Sequence, residues 1–120
     1  MDNKRNKFNS HLKNIGIYKV ECLTLDKYFK NKKNIIDLLK IDAEGEDLRV
    51  LEGATKLLVK KRIKLIKVEL LNSFNFKKNK SNINDIIFFL NKYNYYIITI
   101  AKTKFVDEKL LMMDVYFCSK

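Results

Sequence analysis

Apolar and polar positions recur along this chain with different periods, and each period predicts an element. Residues 17–23 (Ile17-Tyr18-Lys19-Val20-Glu21-Cys22-Leu23) alternate, which predicts an edge strand or an extended segment. The run Ile35-Ile36-Asp37-Leu38-Leu39-Lys40-Ile41 is apolar on both faces except at Asp37, the pattern of an interior parallel strand. From about Glu46 to Lys61 the period changes. Val50, Leu51, Ala54, Leu57 and Leu58 recur at three- and four-residue spacing and make one helical stripe. Glu46 and Asp47 fall in its first turn, Lys60 and Lys61 in its last, as the helix dipole favours. A second strand is expected from Ile63 to Leu71, then an Asn/Lys/Phe loop over 72–82. A helix from about Asn82 to Tyr93 follows, with Ile83, Ile86, Ile87 and Leu90 on one face and Ser81 or Asn82 as its cap. Two further strands, Tyr95–Ala101 and Leu110–Cys118, are joined by a short polar loop at about 102–109 and can pair antiparallel.

Strand, crossover helix and strand make a βαβ unit, right-handed almost without exception. The predicted fold is α/β: a partial Rossmann-like sheet of four to five strands, a βαβ unit plus a C-terminal antiparallel pair. Asp26 opens a short helix, Lys27-Tyr28-Phe29, and N-capping accounts for it. Gly53, in mid-helix, costs about 1 kcal/mol relative to Ala. The expected compensation is a close approach of helix to sheet.

The strand expected over 35–41 ends abruptly in carboxylates. Residues 41–54 hold Asp42, Glu44, Glu46, Asp47 and Glu52 against one base, Arg49, in a chain of net charge +11. Glu69 falls near the carboxyl end of the next strand, and ligands of open α/β sheets bind at that edge. Asp42, Glu44 and Glu69 would lie on neighbouring strands, about 4.8 Å apart if the strands pair directly. Three roles are open to them. They could hold a hard cation through oxygen, accept a proton from a substrate hydroxyl, or serve the structure by stabilising the helix N-terminus and a loop. Asp42 is favoured for a site role, because its strand would otherwise continue apolar.

Several of these stretches together resemble the second half of FkbM-type methyltransferases. They are Leu23-Thr24-Leu25-Asp26, Leu39-Lys40-Ile41-Asp42-Ala43-Glu44-Gly45-Glu46, Val50-Leu51-Glu52-Gly53-Ala54 and Val68-Glu69, with Asp114-Val115-Tyr116-Phe117-Cys118 like the family's last strand. The likeness covers roughly residues 20–118, and the Lys-Ile-Asp-x-Glu-Gly-x-Asp/Glu core is its most specific part. It implies a class I methyltransferase sheet, S-adenosylmethionine as cofactor, and O-methyl transfer to a hydroxyl of a small-molecule acceptor such as a sugar or secondary metabolite. Under it Asp42 and Glu44 are catalytic candidates lining the pocket, Glu69 a substrate-binding residue opposite them, and Asp26 a cofactor-binding candidate. No metal is expected.

The cofactor's amino acid and ribose are normally held by a glycine-rich loop, and this chain has only Gly16, Gly45 and Gly53, so it contains no Gly-x-Gly. In the family's sheet its strands would be the fourth to seventh, and strand 35–41 would lack its neighbour. The expectation is therefore a C-terminal half of a methyltransferase domain (residues 17–120, behind a mobile basic arm at 1–16), from a split, truncated or decayed gene and inactive alone. The unpaired edge of strand 35–41 favours a partner chain or self-association. A non-catalytic module that docks such a partner is the alternative function.

Composition narrows the remaining classes. Hydrophobic content of 47% fits a globular domain, no apolar run is long enough to cross a membrane, and no apolar signal segment follows the polar N-terminus. A cytoplasmic location is expected. Cys22 and Cys118 lie in apolar surroundings and read as buried, reduced thiols. His11 is the only histidine and reads as a surface residue, so a His-based metal cluster or nucleophile–His pair has nothing to build with. The basic excess comprises 22 Lys and only 3 Arg, alongside 13 Asn and 13 Ile. An AT-rich coding sequence gives that bias without selection for binding, whereas phosphate recognition favours Arg. A basic nucleic-acid binder is the weaker reading, and a solvated basic surface the stronger.

Overall fold

The computed structural model describes residues 16–71 and 82–120, apart from the side chains of 71 and 109–111. The expectations for the arm, for His11 and for most of the 72–82 loop lie outside those residues. In chain order the elements are α1 (Leu25–Tyr28), β1 (Ile36–Ile41), α2 (Asp47–Glu52), α3 (Thr55–Val59), β2 (Ile63–Leu71), α4 (Ile83–Asn91), β3 (Tyr95–Val106) and β4 (Lys109–Ser119). The four strands form one sheet in the order β1-β2-β4-β3. Strand β1 runs parallel to β2 with Ile36 beside Ile63 and Ile41 beside Val68. Strand β4 is antiparallel to both β2 and β3.

The core lies between one face of the sheet and the helices. Ile66 and Val68 of β2 and Val115 and Phe117 of β4 are fully buried against Leu51, Leu58, Ile86 and Leu90. Each such side chain contributes about 1.5–3 kcal/mol by leaving water. Strand residues alternate between faces. The same two strands therefore turn Lys67 and Glu69, and Asp114 and Tyr116, to the face away from the helices.

The structure corrects several expectations. Of the two readings of residues 17–23, the edge strand is not found; Ile17, Tyr18 and Val20 are exposed. Cys22, on this segment, is exposed rather than buried, and Cys118 is half-buried. The interior position that the apolar pattern of β1 suggested is not found: the strand lies at the edge of the sheet, as expected from its missing neighbour, and Leu38 is 51% exposed. Asp37, its polar exception, faces outward and pairs with Lys64 at 2.6 Å. The single helix expected over 46–61 is two. Helix α2 ends at Gly53, Ala54 adopts a non-helical φ of −113°, and α3 then starts afresh. A Cβ on Gly53 would stand 3.3 Å from Thr24 Cβ, so the close approach that favours glycine is to the start of α1, not to the sheet. Helix α1 itself begins at Leu25 with Thr24 as its cap, so Asp26 sits inside the first turn.

Other expectations hold. Asn82 caps α4 in a reciprocal capping box with Asp85. Strands β3 and β4 run longer than expected and are joined by Asp107 and Glu108 alone. Both residues have positive φ (49° and 62°), the two-residue turn whose twist suits a hairpin.

Candidate functional site

The site is built on the turn that leaves β1. Glu46 donates its amide to the carbonyl of Ala43 at 3.0 Å, closing a four-residue turn with Glu44 (φ 50°) and Gly45 (φ 97°) at its centre. Gly45 suits that conformation, whereas a non-glycine residue there carries strain of about 1–3 kcal/mol. The turn is held from below. Asp47, 1% exposed, accepts hydrogen bonds from the amides of Ala43 and Gly45, each at 3.1 Å. This buried carboxylate is what lets Glu44 occupy its position. Asp42 and Glu44 are both exposed at the mouth of the turn.

Strand register then assembles a row. Ile41 is the partner of Val68, so Asp42, one residue on, stands alongside Glu69. Glu69 is in turn the direct partner of Asp114 on β4. Glu69 and Asp114 are therefore paired across two strands on the face turned away from the helices, with Asp42 just past the carboxyl end of β1 beside them. The next rung down repeats the crossing with Lys40, Lys67 and Tyr116. Cations and anions on the two rungs pair. Lys40 Nζ lies 3.2 Å from Asp42, with both side chains about half exposed. Lys67 Nζ lies 2.7 Å from Asp114, whose side chain is only 1% exposed. That contact, through its hydrogen bond above all, holds the Lys67 ammonium above its ordinary pKa, against the opposing effect of desolvation.

The structure sets Asp42 and Glu69 one residue beyond the paired Ile41 and Val68, with Glu44 on the adjoining turn. It sets Asp26 elsewhere. The Asp26 carboxylate accepts from the amides of Lys56 (2.8 Å) and Leu57 (3.1 Å), capping α3, whose own cap residue Ala54 offers no side-chain acceptor. Its amide donates to the carbonyl of Gly53 at 2.9 Å. The Leu-Thr-Leu-Asp and Leu-Glu-Gly-Ala stretches thus touch, and their common task is to clamp α1 onto the α2–α3 break.

Sequence reasoning missed Asp114, Lys67 and the buried part of Asp47. A signal existed for the first two. Ile66-Lys67-Val68-Glu69 alternates strictly, which marks a strand with one polar face, and Asp114 interrupts the apolar run Met112-Met113-Asp114-Val115. Their meeting depends on antiparallel register, which no local pattern discloses.

Chemically, the row offers carboxylates beside cations at a sheet edge. Such a set can accept a proton from a hydroxyl and hold neighbouring hydroxyls by charge-assisted hydrogen bonds. Among the described residues no three His, Cys, Asp or Glu are grouped closely enough to hold a metal ion. Nor is any helix among them long and apolar enough to cross a membrane.

A family model described as the methyltransferase FkbM domain fits residues 1–97. It takes in Asp42, Glu44 and Glu69 and stops short of β4, so Asp114 lies outside it. No curated protein and no solved structure matches the chain.

Proposed function

The chain belongs to the FkbM methyltransferase family, and from that premise we propose that its carboxylate row is the acceptor side of an S-adenosylmethionine-dependent O-methyltransferase. The observation that carries the reading is the pairing of Ile41 with Val68 on two parallel strands, after which Asp42 and Glu69 are the next residues. Asp42 takes the proton of the acceptor hydroxyl. Glu44, presented by the turn that Asp47 closes, lines the same opening. Glu69 holds the acceptor through a hydroxyl, as a polyhydroxylated small molecule such as a sugar would offer. The cofactor supplies an electrophilic methyl group on a sulfonium.

The donor set of these residues fits the acceptor better than the cofactor. No Gly-x-Gly is present, and Asp26 has both oxygens on backbone amides, so it is left out of this reading. Cofactor binding therefore requires a glycine-rich loop from outside these 120 residues.

Titration of the chain with S-adenosylmethionine by calorimetry, and with monosaccharides by amide NMR, tests the reading. The expected result is no micromolar cofactor affinity, with sugar-induced shifts at Asp42, Glu44 and Glu69 that vanish in Asp42→Asn. Micromolar cofactor binding would overturn the requirement for an outside loop. Sugar shifts confined to other surfaces would overturn the site.

One observation favours a second reading, a non-catalytic module that docks a partner chain. Among the described residues β1 pairs only with β2, so its outer edge presents unpaired backbone groups. Light scattering on the pure chain, and on chain recovered with any co-purifying protein, distinguishes the two. A monomer without a companion removes the docking reading.

A further inference from the structure

The helix layer carries a second concavity, lined by none of the residues of the carboxylate row. It is a cleft of about 520 Å³ between the α1 segment and the α2–α3 break. That size is within the range of small-ligand sites, about 300–1,000 Å³. Five cations line it: Lys27, Lys30, Lys56, Lys60 and Arg62. Two carboxylates share it, and one of them, Asp26, is committed to the amides of Lys56 and Leu57. Among the described residues none of the four lysines has a carboxylate within ion-pair distance; the ion pairs there belong to Lys40, Arg49, Lys64 and Lys67. Arg62 is fixed in place, its Nε and Nη2 donating to the carbonyls of Lys32 and Asn34 at 2.5–3.2 Å. Phe29 and Leu57 give the cleft an apolar wall.

Unneutralised cations that converge on a concave surface focus a positive potential into it, and each gains by pairing with an anion. Lysine ammonium groups serve phosphate as point charges, without the fixed fork that arginine needs. The apolar wall suits a compact ligand with a non-polar part better than a bare ion. We propose that this cleft binds a phosphate-bearing small molecule, of the size of a nucleotide or sugar phosphate. The proposal does not depend on the methyl-transfer reading, since none of its residues belongs to the carboxylate row.

Pyrophosphate is the probe, titrated into the isotope-labelled chain at constant ionic strength and followed by amide NMR, with acetate as the control anion. The expected result is saturable shifts at Lys27, Lys30, Lys56, Lys60 and Arg62 with pyrophosphate and none with acetate. The double variant Lys56→Gln/Lys60→Gln should weaken binding at least tenfold. Lys102→Gln/Lys104→Gln, on β3, should leave it unchanged. All four lysines are exposed, so the variants keep the fold, and circular dichroism of each checks that. Shifts spread evenly over surface lysines, an equal response to acetate, or no saturation would overturn the proposal. So would a short single-stranded RNA that competes for the cleft while also shifting the β3 lysines, because it would make the cleft part of a nucleic-acid surface.

Discussion

Removing the Asp47 carboxylate tests the account of the turn that carries the site. In Asp47→Ala the amides of Ala43 and Gly45 lose the carboxylate to which they donate, at 3.1 Å each. Hydrogen bonds to a charged group contribute about 1.5–3 kcal/mol apiece. Both distances exceed the 2.7–2.9 Å of the shortest charge-assisted bonds, and both are partly buried, which puts each near the low end. The loss is therefore about 3 kcal/mol. With urea slopes of about 1–3 kcal/mol per M, the unfolding midpoint moves down by about 1–3 M at unchanged slope. Asp47→Asn keeps one acceptor and should lose about half as much. Hydrogen exchange at the Gly45 amide should accelerate in both, more in the alanine variant. An unmoved midpoint in Asp47→Ala, or an asparagine variant weaker than the alanine one, would refute the reasoning.

Four other outcomes follow from the same structure. Asp26→Ala should cost about 1–2 kcal/mol, the worth of a helix cap, and speed exchange at the Lys56 and Leu57 amides; a loss of ligand binding without either change would contradict the capping role. Leu51→Ala, at a fully buried position between helix and sheet, should cost about 2–5 kcal/mol by urea denaturation. Lys67→Met strands the buried Asp114 charge and should destabilise the chain, while adding Asp114→Leu should recover stability; a double variant worse than the single would disprove the pairing. Burial holds the Tyr95 phenol above its ordinary value, and Asp114 holds the Lys67 ammonium above its own. Each group keeps its proton in the fold after the unfolded chain has released it, so their contribution is whole below about pH 10 and declines as pH rises through the folded values. Urea midpoints at about pH 8 and about pH 11 should show that decline, and Tyr95→Phe, which also loses the 2.7 Å bond to the Ile63 carbonyl, should flatten part of it.

What was legible in the sequence divides along physical lines. Strand β2 and the α4 cap were written in local pattern, since alternation and an Asn–Asp box need no distant partner. Asp42 was visible because it ends an apolar run, and Glu69 because it falls near the carboxyl end of the next strand. The break between α2 and α3 was hidden, because the stripe Val50, Leu51, Ala54, Leu57, Leu58 continues across it. It is imposed by Asp26, which clasps the start of α3 from thirty residues upstream. The edge position of β1 could not be read from its apolar pattern, which is the same with one neighbour or two; it followed from the strand that the family resemblance left missing. Lys67 and Asp114 needed the β2–β4 register. The length of β3 was obscured by Lys102 and Lys104, polar residues on an edge strand where backbone pairing to β4 continues through irregular register.

The short turn at Asp107 and Glu108 also bears on how the molecule reaches its final form. It makes the β3–β4 hairpin the part of the sheet with the least loop-closure entropy to overcome, and hairpins close in about 1–10 μs. Strand β2 must come back to β4 from far upstream, and β1 can join only once β2 is there to receive it. The three acids of the row enter on three different strands. Their alignment is complete only when the last strand has docked, and a probe on Asp42 would report the end of folding rather than its beginning.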